Sequence, residues 1–337
     1  MNSGARDRVT LRAGARTGLA RVALAALCLG LSPATLAQEF PSRPVRWVIP
    51  FGPGTIFETA ARLLIPGMSA GFGQPVVIEN RPGAGALIGT EYVARQVTAD
   101  GHTMLMGLAN LLTFKLFVKD LRFDPTADLV PASLLLETQV FVAANARQPY
   151  DTLDGLIAHA KAHPGKLNYG TSGPQSYPEL MFQALQARYG IRMESVAYKD
   201  GNTAVLTGLL ADQVQLAIAG QAISLGDVRA GRLRALVVSG SKRLATLPEV
   251  PSARETGYVD LIPNWYSIHL PAATPRAVVA RIGRVALEAL QDPETRTQLE
   301  KNYFTILALG PQESERHIRS EEQLYRNIVT RAGIQAR

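Results

Sequence analysis

The sequence predicts an α/β protein of two similar lobes, and three features carry that expectation. Apolar, β-rich segments alternate with helix-like ones from Val45 onward, the pattern that builds parallel sheets with right-handed helical crossovers. Runs such as Trp47-Val48-Ile49 are apolar without interruption, as strands buried on both faces are. A longer apolar stretch, Leu134–Ala144, is followed by a second series of the same kind, which reads as a crossing into another lobe.

The first series starts with a strand over Val45–Phe51, where β-branched and aromatic residues dominate. Glu58–Met68 has helical character, Pro75–Ile78 reads as a strand, Ala86–Gln96 as a helix and Thr103–Met106 as a strand, which together make βαβαβ. After the crossing, a helix from Asp151 to His163 stops at Pro164-Gly165. Strand Leu167–Tyr169, helix Pro178–Ala187, strand Met193–Ala197, helix Thr203–Leu210 and strands Val214–Ile218 and Leu233–Val238 follow. Trp265–Leu270 is apolar enough to return the chain to the first lobe, and the tail reads as helical over Pro275–Leu290, Pro293–Lys301 and Glu313–Thr330. Pro275 and Pro293 stand where a first helical turn tolerates proline.

Residues 1–37 are expected to be a leader and no part of this fold. Arg6, Arg8, Arg12, Arg16 and Arg21 form a basic region, Val22–Leu31 an apolar run, and Thr35-Leu36-Ala37 a small-residue cleavage site, so the chain is expected to be exported, cut after Ala37 and periplasmic. The apolar run is shorter than the roughly 20 residues a membrane span needs. The only cysteine, Cys28, lies inside it, so the mature chain has no disulfide or thiol chemistry. The leader's five arginines against one aspartate carry +4 of the formal +7, leaving about +3 without a dense Lys/Arg run. Nucleic acid is therefore not an expected partner.

Four loops precede helices and are rich in glycine or small polar residues: Pro50–Thr55, Asn80–Ala86, Gly170–Ser176 and Lys199–Asn202. Exposed N–H groups and the helix dipole favour an anion at such places, and open parallel sheets bind ligands at the carboxyl ends of their strands. Two loops from each series facing one another would clamp an acid between lobes. Other chemistries lack their motifs. Gly83-Ala84-Gly85-Ala86-Leu87-Ile88-Gly89 imitates a dinucleotide fingerprint, but its spacing is wrong and no acid follows the next strand to hold a ribose. His159 and His163 lie four apart, with alanine at position 160 where a metalloprotease has its glutamate and with no third ligand nearby, so no metal is expected. Ser172 and Ser241 lack a nucleophile elbow.

The chain resembles the Bug family of extracytoplasmic receptors, the binding component of tripartite tricarboxylate transporters. The matching segments, in family order, are Phe40–Val45, Pro50-Phe51, Val77–Gly85, Asp100-Gly101, Pro164–Tyr169, Tyr198-Lys199, Arg232–Leu236 and Leu247–Pro251. Glu79-Asn80-Arg81-Pro82-Gly83-Ala84-Gly85 is the most specific of them. The resemblance implies a type II periplasmic-binding-protein fold: two α/β lobes, joined by two crossing strands, with a ligand cleft between them. Residues 38–138 and 265–337 are expected in lobe I and 139–264 in lobe II. It implies no cofactor, no enzymatic activity, a monomer, a small organic carboxylate as ligand and the subunits of a membrane permease as partners. A sensory receptor of the same fold is the alternative, and an α/β enzyme acting on a carboxylate a weaker one.

The chain departs from the family inside the loops. Gly52-Pro53-Gly54-Thr55 and Glu58 stand where Pro-Pro-Gly-Gly and an aspartate are common, Leu87 replaces a common asparagine, and Leu108-Ala109 a frequent threonine and serine. Glu179 replaces a frequent histidine and Ala219 a frequent aspartate. The expected site therefore holds one carboxylate through Thr55, Ala84, Gly85, Thr171, Ser172 and Ser176, with Lys199 as an added cation. Phe57, Leu87, Leu108 and Ala219 would leave the rest of the cleft less polar than is usual, with Phe51 also among the expected ligand-binding residues, favouring a monocarboxylate with an apolar or aromatic body over a polyacid. Glu58 either merely follows the helix N-terminus or meets a ligand amine or hydroxyl.

Overall fold

The computed structural model describes residues 40–174, 176–198, 201–258 and 260–333. The leader, its cleavage site and Lys199 lie outside the described residues. Strand β1 (Val45–Ile49) buries Val45, Trp47, Val48 and Ile49 completely, so it runs through the middle of a sheet. It pairs in parallel with β2 (Val76–Asn80) on one side and β3 (Thr103–Leu108) on the other. Helix α1 (Ile56–Phe72) connects β1 to β2 and buries Ala60, Ala61, Leu64, Met68 and Phe72, a stripe at helical spacing. It ends at Gly73, whose left-handed φ of 67° lets its N–H bond back to Ala70. Helix α2 (Leu87–Arg95) leads from β2 to β3, and α3 (Asn110–Phe117) follows β3.

The chain then runs along β4 (Leu129–Thr138), passes the single residue Gln139 and enters β5 (Val140–Asn145) in a second sheet. That sheet and its helices follow in the order α4 (Leu153–Ala162), β6 (Asn168–Thr171), α5 (Tyr177–Tyr189), β7 (Glu194–Ala197), α6 (Asn202–Leu210), β8 (Leu216–Gly220), α7 (Gln221–Arg229) and β9 (Leu233–Val238). The return is β10 (Asn264–Pro271), followed by α8 (Arg276–Ala289), α9 (Pro293–Lys301), β11 (Phe304–Leu309) and α10 (Pro311–Ala332).

The two sheets share one plan. The first has the order β11-β4-β10-β3-β1-β2 and the second β7-β6-β8-β5-β9. In each, a parallel trio (β2-β1-β3 and β7-β6-β8) is flanked by an antiparallel strand that joins it to a further strand. In the first sheet that strand is β10, which arrives from the second; in the second it is β5, which arrives from the first. Leu108 pairs with Tyr266 near the start of β10, and Gly220 pairs with Val140 at the start of β5. The carboxyl ends of both trios, and the loops that follow them, therefore converge on the crossing at Gln139.

Several elements differ from expectation. The tail contains β11, antiparallel to β4 and interrupted by a register shift between Ile306 and Leu309, too irregular to show strand alternation. Helix α3 buries Leu111, Leu112, Thr113, Phe114 and Phe117 and leaves Asn110, Lys115 and Leu116 half-buried, so it has no exposed face and no readable period. Helix α7 buries only Gln221, Ser224 and Leu225, two of them polar, so it shows no apolar stripe. Trp265–Leu270 is a strand, but it lies wholly in the first sheet, and the return crossing is the irregular chain that precedes it. Pro275 is the N-cap of α8 and not its first turn.

Helix α10 adds a link beyond the two crossings. It packs on β4 in the first lobe and on α5 in the second. Tyr325 and Ile328 of α10 share one continuous core with Leu180, Met181 and Ala184 of α5 and with Leu134 of β4. Arg331 of α10 also pairs with the buried Asp260 in the return crossing.

His269 is fully enclosed in β10, its Nδ1 2.9 Å from the Ser267 hydroxyl, and burial lowers its pKa to about 3. The unfolded chain would take up a proton near pH 6.5, where the folded chain does not. Stability is therefore expected to fall as pH drops from 6.5 toward 3, by about 2 kcal/mol at pH 5 from this residue alone. Urea unfolding at pH 7.5 and 5.0 measures it. His269→Gln, which keeps a partner for Ser267 but does not titrate, should remove that share of the pH dependence; an unchanged slope would rule the histidine out as its source.

Candidate functional site

The loop after β1 is held from behind by Glu58. This side chain, 3 % exposed in the first turn of α1, accepts the Gly54 N–H (2.9 Å) and the Arg62 Nε–H (2.8 Å). Burial pushes the carboxyl up, but Arg62, the Gly54 N–H and Asn80 outweigh it and hold it below the usual carboxylate range. Asn80, at the end of β2, donates from Nδ2 to the Phe51 carbonyl (3.0 Å) and lies 3.5 Å from Glu58. Glu58 is thus committed to the loop and to Arg62.

Thr55 is the N-cap of the 17-residue helix α1, in extended backbone, and makes no side-chain cap bond. Its hydroxyl oxygen is enclosed, and no group among the described residues bonds it. An enclosed hydroxyl beside the first N–H groups of a long helix is a donor set matched to an anion. Next to it, Phe51 stacks on Phe57 with ring centroids 4.4 Å apart. Phe57 lies 5.6 Å from Tyr266, and Tyr266 meets Phe304 edge-on at 5.5 Å. An aromatic row thereby runs from the first loop to the crossing, where the Tyr266 hydroxyl meets Thr138 (3.1 Å).

The loop after β2 turns through four consecutive positive φ values: Gly83 at 134°, Ala84 at 46°, Gly85 at 62° and Ala86 at 82°. Two alanines in this region store strain, which persists only where the surroundings impose it. Asn110 imposes part of it, donating from Nδ2 to the Gly85 carbonyl (2.9 Å). Leu87 is half-buried at the start of α2.

In the second lobe, Thr171 ends β6, and Ser172 and Ser176 lie in the loop between β6 and α5. Ser176 is buried and caps α5: its hydroxyl donates to the Gly173 carbonyl (2.7 Å) and accepts the Glu179 N–H (3.4 Å). Thr171 accepts the Gly173 N–H (3.2 Å). The half-buried Ser172 hydroxyl meets no partner among the described residues. Glu179 is turned inward, accepting from Tyr169 (3.1 Å), Gln183 (2.6 Å) and Ser195 (2.6 Å), so it ties α5 to β6 and β7. Ala219, like Leu108 in the first lobe, is packed in its lobe's core, and the chain is half-exposed only from Gly220. The rings of His159 and His163 are 4.4 Å apart, and no group of three or more His, Cys, Asp or Glu suited to a metal occurs among the described residues.

Asn80, Asn110 and Gln139 were not singled out in the sequence, yet they fix the two first-lobe loops and the crossing. Asn80 opens the second glycine-rich loop and lies in the most specific family string, but neither signal gives it a role. Gln139 accepts the N–H of Gln221, the first residue of α7, on its carbonyl (3.2 Å).

Residues 60–334 match the family described as tripartite tricarboxylate transporter family receptor. The chain belongs to this receptor family. Protein BugT of Bordetella pertussis is 30% identical over 307 residues, which cover 90% of this chain and 94% of BugT. The receptor's fold is similar to that of the periplasmic binding protein BugD (TM-score 0.79, 25% identity, 88% of this chain and 100% of that one). It is also similar to MatC from Rhodopseudomonas palustris with bound malate (TM-score 0.78, 27% identity, 86% and 100% covered). A further similar structure is R. palustris Rpa4515 with adipate (TM-score 0.80, 27% identity, 89% and 100% covered). The two lobes are therefore those of a periplasmic-binding-protein fold. No helix among the described residues is long and apolar enough to cross a membrane.

Proposed function

We propose that this receptor captures a small organic carboxylate between its lobes in the periplasm and hands it, chemically unchanged, to the subunits of a membrane permease. The observation that carries the reading is the enclosed, unpartnered Thr55 hydroxyl at the N-terminus of α1, set beyond the carboxyl end of β1 where the loops converge. MatC with malate and Rpa4515 with adipate support a carboxylate as the class of cargo. The donors are the Thr55 and Ser172 hydroxyls and the backbone N–H groups around Ala84, Gly85 and Thr171; Ser176 shapes its loop by capping, and Lys199 adds a cation. Phe51, Phe57 and Leu87 face the rest of the acid, which favours one carboxylate on an apolar or aromatic body. A second charge there would lose its hydration at a cost of several kcal/mol. The protein is exported as a monomer and cut after Ala37, so Edman sequencing of periplasmic material is expected to begin at Gln38; a retained leader or a start at Cys28 would contradict this.

Residues 38–138 with 265–337 act as one lobe and 139–264 as the other, and cargo closes them because it makes contacts in the closed state that the open state lacks. The contact of α10 with α5 makes that face the pivot. Small-angle scattering of the purified receptor, alone and saturated with a bound acid, is expected to show a smaller radius of gyration with cargo, and mass spectrometry to recover the acid intact. An unchanged radius at saturation would remove the hinge, and a chemically altered acid would remove the receptor reading.

A further inference from the structure

A groove of about 800 Å³ lies at the crossing, beside β4, β9 and β11 and away from the loops that follow β1, β2 and β6. Its walls come from both lobes. Glu137 and Thr305 belong to the first sheet, Ser241, Lys242, Arg243 and Arg254 to the chain that follows β9, and Gln139 to the crossing itself. The electrostatics are uneven. Arg243 is neutralised by Glu255 at 2.9 Å, but Lys242 and Arg254 have no acidic partner among the described residues. Nor does any acceptor among those residues take the backbone N–H groups of Ser241, Lys242 and Arg243. Against these stands the Glu137 carboxylate, whose pKa is raised by burial and by the nearby Glu321. Two unmatched cations with three consecutive N–H donors outnumber it and form a patch whose counterpart is a compact anion.

Gln139 connects this groove to the cleft. Its side chain accepts from the Ser239 hydroxyl (2.7 Å) and donates to Glu137 (3.1 Å), while its carbonyl receives the N–H of Gln221 at the start of α7. An occupant of the groove touches both lobes and the residue on which α7 rests. We propose that the groove binds a small multiply charged anion, a phosphate or a polycarboxylate, as an effector separate from the cargo, and that its occupancy changes the affinity of the cleft. Linkage makes the effect reciprocal: cargo must change the affinity of the groove by the same factor.

Calorimetric titration of the purified receptor at 150 mM salt tests this, with inorganic pyrophosphate and tricarballylate as separate titrants. One saturable site is expected, weakened at least tenfold in Lys242→Glu/Arg254→Glu, two exposed side chains outside the cleft. Binding of pyrophosphate alone assigns a phosphate, of tricarballylate through the groove alone a carboxylate, and of both a general polyanion site. Whichever titrant binds the groove should, at saturation, shift cargo affinity at least threefold in the wild type and leave the double variant unaffected. Ser241→Glu, which adds a like charge to an exposed loop position, gives the same answer if the double variant folds poorly. No saturable binding, binding indifferent to the charge reversals, or binding without an effect on cargo would overturn the proposal. Each of those results leaves cargo capture in the cleft intact, because the variants keep it.

Discussion

Gly89→Ala is expected to cost the receptor both stability and cargo affinity. A Cβ at position 89 would lie 2.7 Å from the Arg81 carbonyl and 2.9 and 3.0 Å from Cβ and Cα of Pro50. Two of those three atoms are backbone, so relief requires the loops after β1 and β2 to part. Overpacking of this kind costs about 1–3 kcal/mol. The loops it separates carry Thr55 on one side and Ala84 and Gly85 on the other, so cargo affinity should fall at least tenfold, roughly 1.4 kcal/mol or more. Gly52→Ala is the matched control in the first loop, where a Cβ meets nothing within 4 Å and φ is not positive. Thermal unfolding and calorimetric titration of both variants measure the effect. A destabilised Gly89→Ala protein that binds cargo with full affinity would show that these loops do not form the cleft.

Thr55→Val is expected to move stability and affinity in opposite directions. The valine has the same shape and suits the extended backbone of the N-cap (φ −81°, ψ 160°). No cap bond is lost, because the threonine side chain makes none. Removing an enclosed, unpartnered hydroxyl should stabilise the free receptor by about 1 kcal/mol. Removing a donor to a carboxylate should weaken binding by about 1.5–3 kcal/mol, a factor of ten to a hundred and more. Loss of stability together with unchanged affinity would mean that the hydroxyl serves the loop and not the ligand.

The parts of the fold that were legible in the sequence are those whose burial has a simple period. β3 is buried along its whole length and β1 everywhere but at Arg46, so both read as mainly apolar runs, and α1 shows its buried stripe. Helix α3 and strand β11 stayed hidden for different reasons, one because it has no exposed face and the other because a bulge breaks its alternation. The loops were legible as loops, since glycine and small polar residues before a helix announce a turn. What each side chain does there was not. Glu58 and Arg62 are four apart on one helix, so their pairing was within reach of the sequence, but the Gly54 and Asn80 contacts that lock Glu58 depend on how β1 and β2 end side by side. Ser176 and Ser172 look alike in the sequence, and only the turn through Gly173 makes one a cap and leaves the other unpartnered. Gly89 completes what resembles a nucleotide fingerprint; its place in the structure is explained by the close approach of α2 to two loops, with no nucleotide required.

The central claim is that the cleft takes one carboxylate on an apolar body. A thermal-shift screen of the purified receptor against organic acids tests it most directly, because an acid that binds only the folded chain raises its melting temperature in proportion to the logarithm of its concentration over Kd. The panel should pair aliphatic and aromatic monocarboxylates with dicarboxylates such as adipate and malate and with citrate. The expected result is strong stabilisation by an apolar or aromatic monoacid, little by citrate, and loss of the shift in Thr55→Val. Strong stabilisation by citrate or another polyacid, with none from any monoacid, would contradict the apolar cleft.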